Sequence, residues 1–217
     1  MMHNQMPKIH MFSNVEEAVS LLKDYKKIII KDDISKEQIV RKSISSNIFR
    51  AFHNLSKKPS LIYREWALKN IDEIIQKLNN TTSKEEYDKH LFKFVYSFID
   101  YWNFQIVNPD DRIIFGPASK MINLLIKTLN QSTYLNNEKI MPFFHIPFDE
   151  YTLKPLINII NFISDVKYKI SIPKNPTMKY ISTPELYLII QNAVFKLCEK
   201  ARINPILYDY WCWNEKH

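Results

Sequence analysis

Apolar positions recur at helical spacing along most of the chain. In VEEAVSLLKDYK, Val15, Val19, Leu21 and Leu22 follow Ser13 and Glu16, a pair with the spacing of a capping box. Ser35 opens a second candidate helix over residues 35–58, striped by Ile39, Val40, Ile44, Ile48 and Phe52. Ser60 begins a third, which runs to Asn80. A second capping box, Ser83 with Glu86, precedes a fourth, in which Leu91, Phe94, Val95, Phe98, Ile99 and Trp102 mark a broad buried face. These four predict a scaffold.

KKIIIKDD, residues 26–33, has strand character but no second strand to pair with, and is expected to be a connector. A turn cluster from Asn108 to Asp111 then leads into IIFGPASKMINLLIKTLN, residues 113–130. In the proline-bearing loop that follows, Asp149 is expected to cap a short turn. A regular helix is expected to start near Pro155, because proline inside a helix begun at Asp149 forfeits an internal hydrogen bond. Thr183-Pro184, a cap followed by proline at the first helical position, launches the next helix, and NPILYDYWCWNEKH closes the chain. The expected fold is all-α: a two-lobed helical bundle with a scaffold over residues 1–108 and a second part over 109–217, packed together as one unit.

Composition narrows this further. With 217 residues, 46% of them hydrophobic, the chain can bury a core and is not a disordered segment. Glycine occurs once, as Gly116. That excludes Rossmann and P-loop fingerprints and disfavours turn-rich β-sandwiches. Cys198 and Cys212 lack CxxC spacing and are expected to be reduced core residues, so no metal site is assigned. No apolar run approaches the ~18 residues of a membrane span, and MMHNQMPKIHMF lacks the apolar core of a signal peptide. A cytoplasmic monomer with no membrane partner is expected. A formal charge of +7 is the footprint of a protein that meets polyanions, although a Lys-, Asn- and Ile-rich composition produces the same excess.

The candidate chemistry begins at the glycine. Gly116 between two helical segments reads as the turn of a helix-hairpin-helix, whose amides (Gly116, Ala118, Ser119) bind DNA phosphate without reading sequence; an ordinary helical hairpin is the plainer reading. Lys120 then stands near a helix start, where the dipole and any burial disfavour an ammonium and favour a nucleophilic amine, whereas a solvated surface lysine is the ordinary case. Asp149, in HIPFD, is an N-cap, a functional carboxylate, or both. Pro205, Asp209 and Trp213 lie four residues apart in NPILYDYWCW, which reads equally as a C-terminal aromatic anchor or as a pocket with an indole face and a carboxylate acceptor.

In order and approximate separation, GPASK, HIPFD and NPILYDYWCW resemble strings of the helix-hairpin-helix DNA glycosylase superfamily, and most closely the archaeal 8-oxoguanine DNA glycosylase family. The resemblance covers roughly residues 113 to 215. It implies a bifunctional glycosylase and AP lyase acting on double-stranded DNA that contains a modified base, without metal or organic cofactor. Lys120 would be the nucleophile, Asp149 the essential carboxylate, and Asp209 and Trp213 base-binding residues, with Trp66 and Trp102 as candidates for a second stacking indole. A helical DNA-binding protein without catalysis, and a helical interaction protein whose charge is compositional, are the alternatives. His10, His53, His90 and the pairs Lys26-Lys27 and Lys57-Lys58 are expected to be surface groups, and His145 to lie beside the Asp149 loop.

Overall fold

The computed structural model describes residues 9–45, 48–49, 52 and 57–214, so His53 and most of the expected helical extension beyond Ile44 lie outside the described residues. Among the described residues there is no strand; the segment 24–31 is a connector, and Asp32 makes an isolated parallel bridge to Ser132. Among the described residues no helix is long and apolar enough to cross a membrane.

The chain forms two compact units, residues 28–144 and residues 1–27 with 145–217. The first contains α2 (Lys36–Ser43), α3 (Pro59–Asn80), α4 (Lys84–Phe104) and α5 (Phe115–Asn130). The division expected at residues 108 and 109 falls inside this unit, between α4 and α5, which pack on each other. Ser35 starts α2 with a complete capping box, its hydroxyl accepting from the Gln38 amide while the Gln38 side chain accepts from the Ser35 amide. The helix stops at Ser43, well short of residue 58, because Ile44 is extended. Ser83 caps α4, but Glu86 reaches back to the Thr82 amide instead of that of Ser83. Helix α3 begins at Pro59 without a side-chain cap.

Packing joins α2 to α3, α3 to α4, α4 to α5 and α5 back to α2, so the four helices close on one another around an aromatic core. Trp66 and Phe98 lie 5.0 Å apart between ring centroids, as do Phe52 and Trp102. The indole N–H of Trp66 donates to Ser97 Oγ and that of Trp102 to the Asp111 carbonyl, which satisfies both polar atoms inside the core. Trp66 and Trp102 are therefore buried core residues and not stacking platforms.

The second unit contains α1 (Val15–Lys23), α6 (Glu150–Leu153), α7 (Ile160–Ile163), α8 (Pro184–Ala201) and α9 (Pro205–Asn214). Asn14, not Ser13, caps α1 by accepting from the Glu17 amide. Helix α8 packs on α1, α7 and α9, and α9 packs on α6. The regular helix expected near Pro155 is broken up: α6 gives way to a 3-10 turn over Lys154–Leu156, and α7 begins only at Ile160. Pro155 has no amide to donate, so the chain re-forms a helix in short pieces.

Helix α5 stands apart from the others, since all of its residues except Leu124, Lys127 and Thr128 are buried. A helix apolar on one stripe can rest on a surface; one buried on every side is a core element. Leu125→Ala, at a fully buried position of α5, is expected to lower stability by about 2–5 kcal/mol in urea denaturation. A loss below about 1 kcal/mol would contradict a central α5.

Candidate active site

Four polar side chains interrupt the apolar interior of α5: Ser119, Lys120, Asn123 and Asn130. Lys120 is only 8% exposed. Lysine is among the residues least often buried, because taking an ammonium out of water costs several kcal/mol unless it is paired. Asn123 lies three residues further on, on the same helix face.

The chain's single glycine has a different role from the one its position between helices predicts. Gly116 is the second residue of α5, with no positive φ, so it does not form a left-handed hairpin turn. Side chains in a helix lean toward its N-terminus, which sends the residue at position 120 back over the turn holding position 116. Positions 116 and 120 therefore share one face of α5. Ala118 and Ser119 are also buried; the Ala118 amide donates to the Ile114 carbonyl and the Ser119 hydroxyl to the Gly116 carbonyl. The Ala118 amide and the Ser119 hydroxyl are thus taken up within the first turn of the helix.

The other predicted site residues belong to the second unit. Asp149 is extended and caps α6: its Oδ1 accepts from the Tyr151 amide at 2.8 Å and the Thr152 amide at 3.2 Å, while its own amide donates to Thr152 Oγ1 at 2.9 Å. The carboxyl is 7% exposed. Helical periodicity puts Pro205, Asp209 and Trp213 along one face of α9. Asp209 is fully buried, and half-buried Trp213 meets the Tyr151 ring at 4.8 Å, tying α9 to α6 just after the Asp149 cap. The Tyr208 hydroxyl donates to the Thr152 carbonyl at 2.7 Å and reinforces the same junction.

Cys212 locates the two carboxylates. Burial pushes its thiol well above the ordinary value, opposed by a hydrogen bond with Tyr208, and the charges of Asp209 and Asp149 push it higher again. Both carboxylates thus act on one buried thiol. Burial also drives the Cys198 thiol upward, so neither cysteine is a thiolate at neutral pH. Among the described residues no three His, Cys, Asp or Glu side chains gather as a metal site.

Sequence reasoning overlooked Gln191. This fully buried residue of α8 accepts from the Ile146 amide at 3.0 Å and donates to the Ile146 carbonyl at 2.7 Å, clamping the loop that delivers Asp149. One position before Ile146, His145 Nδ1 pairs with the Tyr187 hydroxyl at 2.9 Å, giving the loop a second anchor on α8. Only the helical spacing of Tyr187 and Gln191, one turn apart in an apolar stretch, hinted at either.

Compared with family models, with curated proteins and with solved structures, the chain has no match in any of the three.

Gln191→Leu keeps the side-chain volume but strands a buried amide and a buried carbonyl at Ile146. It is expected to cost about 1–3 kcal/mol for each stranded group and to accelerate hydrogen exchange at the Ile146 amide. Unchanged exchange protection there would show that the clamp does not hold the loop.

Proposed function

We propose that this chain is a DNA glycosylase with lyase activity, which excises a modified base, with 8-oxoguanine as the first substrate to test, through a Schiff base on Lys120. The burial of Lys120 in α5 carries this reading: lysine is among the residue types least often withdrawn from solvent, and a nucleophilic amine is served by the exclusion of bulk water. Two buried carboxylates and a half-buried indole on α6 and α9, together with the +7 charge, support it. The pair formed by α4, the connection over residues 105–114 and α5 is the candidate helix-hairpin-helix, and the two-lobed glycosylase architecture belongs to the same reading.

The chemistry asks for an amine and a carboxylate. The Lys120 amine attacks C1′ of a flipped nucleotide and gives up a proton; the bond from C1′ to the base nitrogen breaks, and the base leaves with the electron pair and takes up a proton. Asp149 stabilises the positive charge that develops on the sugar and relays protons. Opening of the sugar ring gives the Schiff base, and loss of a C2′ proton expels the 3′-phosphate, cutting the strand and leaving the imine to hydrolyse. Trp213 offers the base a π-face, and Asp209 accepts from its N–H donors.

On a duplex carrying a single 8-oxoguanine, the wild-type chain is expected to cut the strand at the lesion and Lys120→Gln to abolish cutting. Asp149→Asn keeps the helix cap, since asparagine caps as well as aspartate, so its loss is expected to be chemical, about 10²–10⁴-fold in rate. Full cutting by Lys120→Gln overturns the reading. DNA binding without cutting by the wild type points to a non-catalytic helical DNA-binding protein. Gly116→Ala, which adds a methyl group at a buried position directly before Pro117, is expected to cost about 1–3 kcal/mol in thermal unfolding and to slow cutting. Equal cutting by the alanine variant would show that the empty position has no part in seating the amine.

A further inference from the structure

We propose that an open, basic cleft of about 530 Å³ in the unit formed by residues 1–27 and 145–217 takes the phosphodiester backbone of duplex DNA. Its walls bring together the end of α1 with the segment after it, and the end of α8 with the start of α9. Lys23, Lys26, Lys27 and Arg202 line it against a single carboxylate, Glu199. All four cations are exposed, and Lys23, Lys26 and Arg202 make no salt bridge among the described residues. Elsewhere on the surface, lysines stand beside acids: Lys57 with Glu65, Lys84 with Asp88, Lys93 with Glu73 and Lys154 with Glu150. Lys23, Lys26 and Arg202, gathered without an acidic partner among the described residues, repel one another and concentrate counter-ions, which a polyanion displaces on binding.

Arg202 provides a second and independent observation. It has φ 56° and ψ 42°, and is the only non-glycine residue with positive φ among the described residues. It closes α8, its amide donating to the Cys198 and Glu199 carbonyls, at a position where glycine or asparagine is the unstrained choice. A strained arginine, held where its guanidinium joins three lysines, makes sense when the side chain has work to do at that spot. Lys27 sits 3.9 Å above the Tyr210 ring of α9, and Leu207 of α9 lines the cleft, so the same helix that carries Asp209 and Trp213 also borders the cations. The choice of DNA among polyanions rests on the glycosylase reading.

The test uses the full chain and a labelled, undamaged duplex, with anisotropy measured from 50 to 200 mM salt. Lys23→Glu with Lys26→Glu is expected to weaken binding about tenfold or more and to lower the salt slope by about 2, close to one for each phosphate contact removed. Arg64→Glu with Lys69→Glu makes the same formal charge change on exposed positions of the other unit and is expected to have a smaller effect. Arg202→Gly separates function from fold: thermal stability is expected to stay level or rise as the left-handed strain is relieved, while affinity falls. Equal weakening by the cleft and control pairs, or wild-type affinity in both cleft variants, overturns the proposal. So does a wild-type chain that binds anionic phospholipid vesicles and not the duplex. Strand cutting at the lesion is read in parallel. Cutting by the wild type alongside unimpaired binding by the cleft variants removes the cleft and leaves the glycosylase reading standing; cleft-dependent duplex binding with no cutting does the reverse.

Discussion

An amine placed inside a helix that is buried on nearly every side is the constraint around which this molecule is arranged. Most of α5 does what a central helix should do, with Met121, Ile122, Leu125, Ile126 and Leu129 filling the core. Lys120 departs from that pattern, a residue type seldom buried standing at a buried position. Other departures stand beside it in the same helix. Ser119 turns its hydroxyl back onto the helix, Asn123 adds a polar group one turn on, and position 116 carries no side chain at all.

The unit that carries the acids solves a related problem by giving single residues two tasks. Asp149 closes the first turn of α6 and places a carboxyl in the interior. Tyr208 reinforces the junction of α6 and α9 while Asp209, the next residue, is withdrawn from solvent. The loop before Asp149 is not left to its own preferences, because Gln191 and Tyr187 grip it from α8. In the proposed chemistry such positioning serves Asp149, since small displacements of a catalytic side chain cost rate steeply. The thiols of Cys198 and Cys212 are held protonated by burial, which leaves the amine as the nucleophile in the proposed chemistry.

Much of this was legible in the residues, for reasons that differ by element. Local chemistry fixes helix starts, so Ser35, Ser83 and Thr183 were readable as caps; near the amino end Ser13 and Asn14 compete, and the cap moved by one residue. The all-α class followed from periodicity and scarce glycine. What local reasoning could not supply were outcomes of tertiary packing. The stripe through Ile44, Ile48 and Phe52 looked continuous, yet α2 ends at Ser43. Gly116 looked like a turn because glycine usually is one, and only its place within α5 separates a need for φ > 0 from a need for empty space. Gln191 pairs with a backbone 45 residues away, and no spacing rule reaches that far.

The central claim is that the Lys120 amine forms a covalent bond to the sugar. Incubating the wild-type chain with an abasic duplex in borohydride, then digesting it and locating the attached sugar by mass spectrometry, tests this most directly. The account predicts the modification on the peptide containing Lys120. Attachment at another lysine, or no attachment under conditions where the duplex is bound, would contradict it.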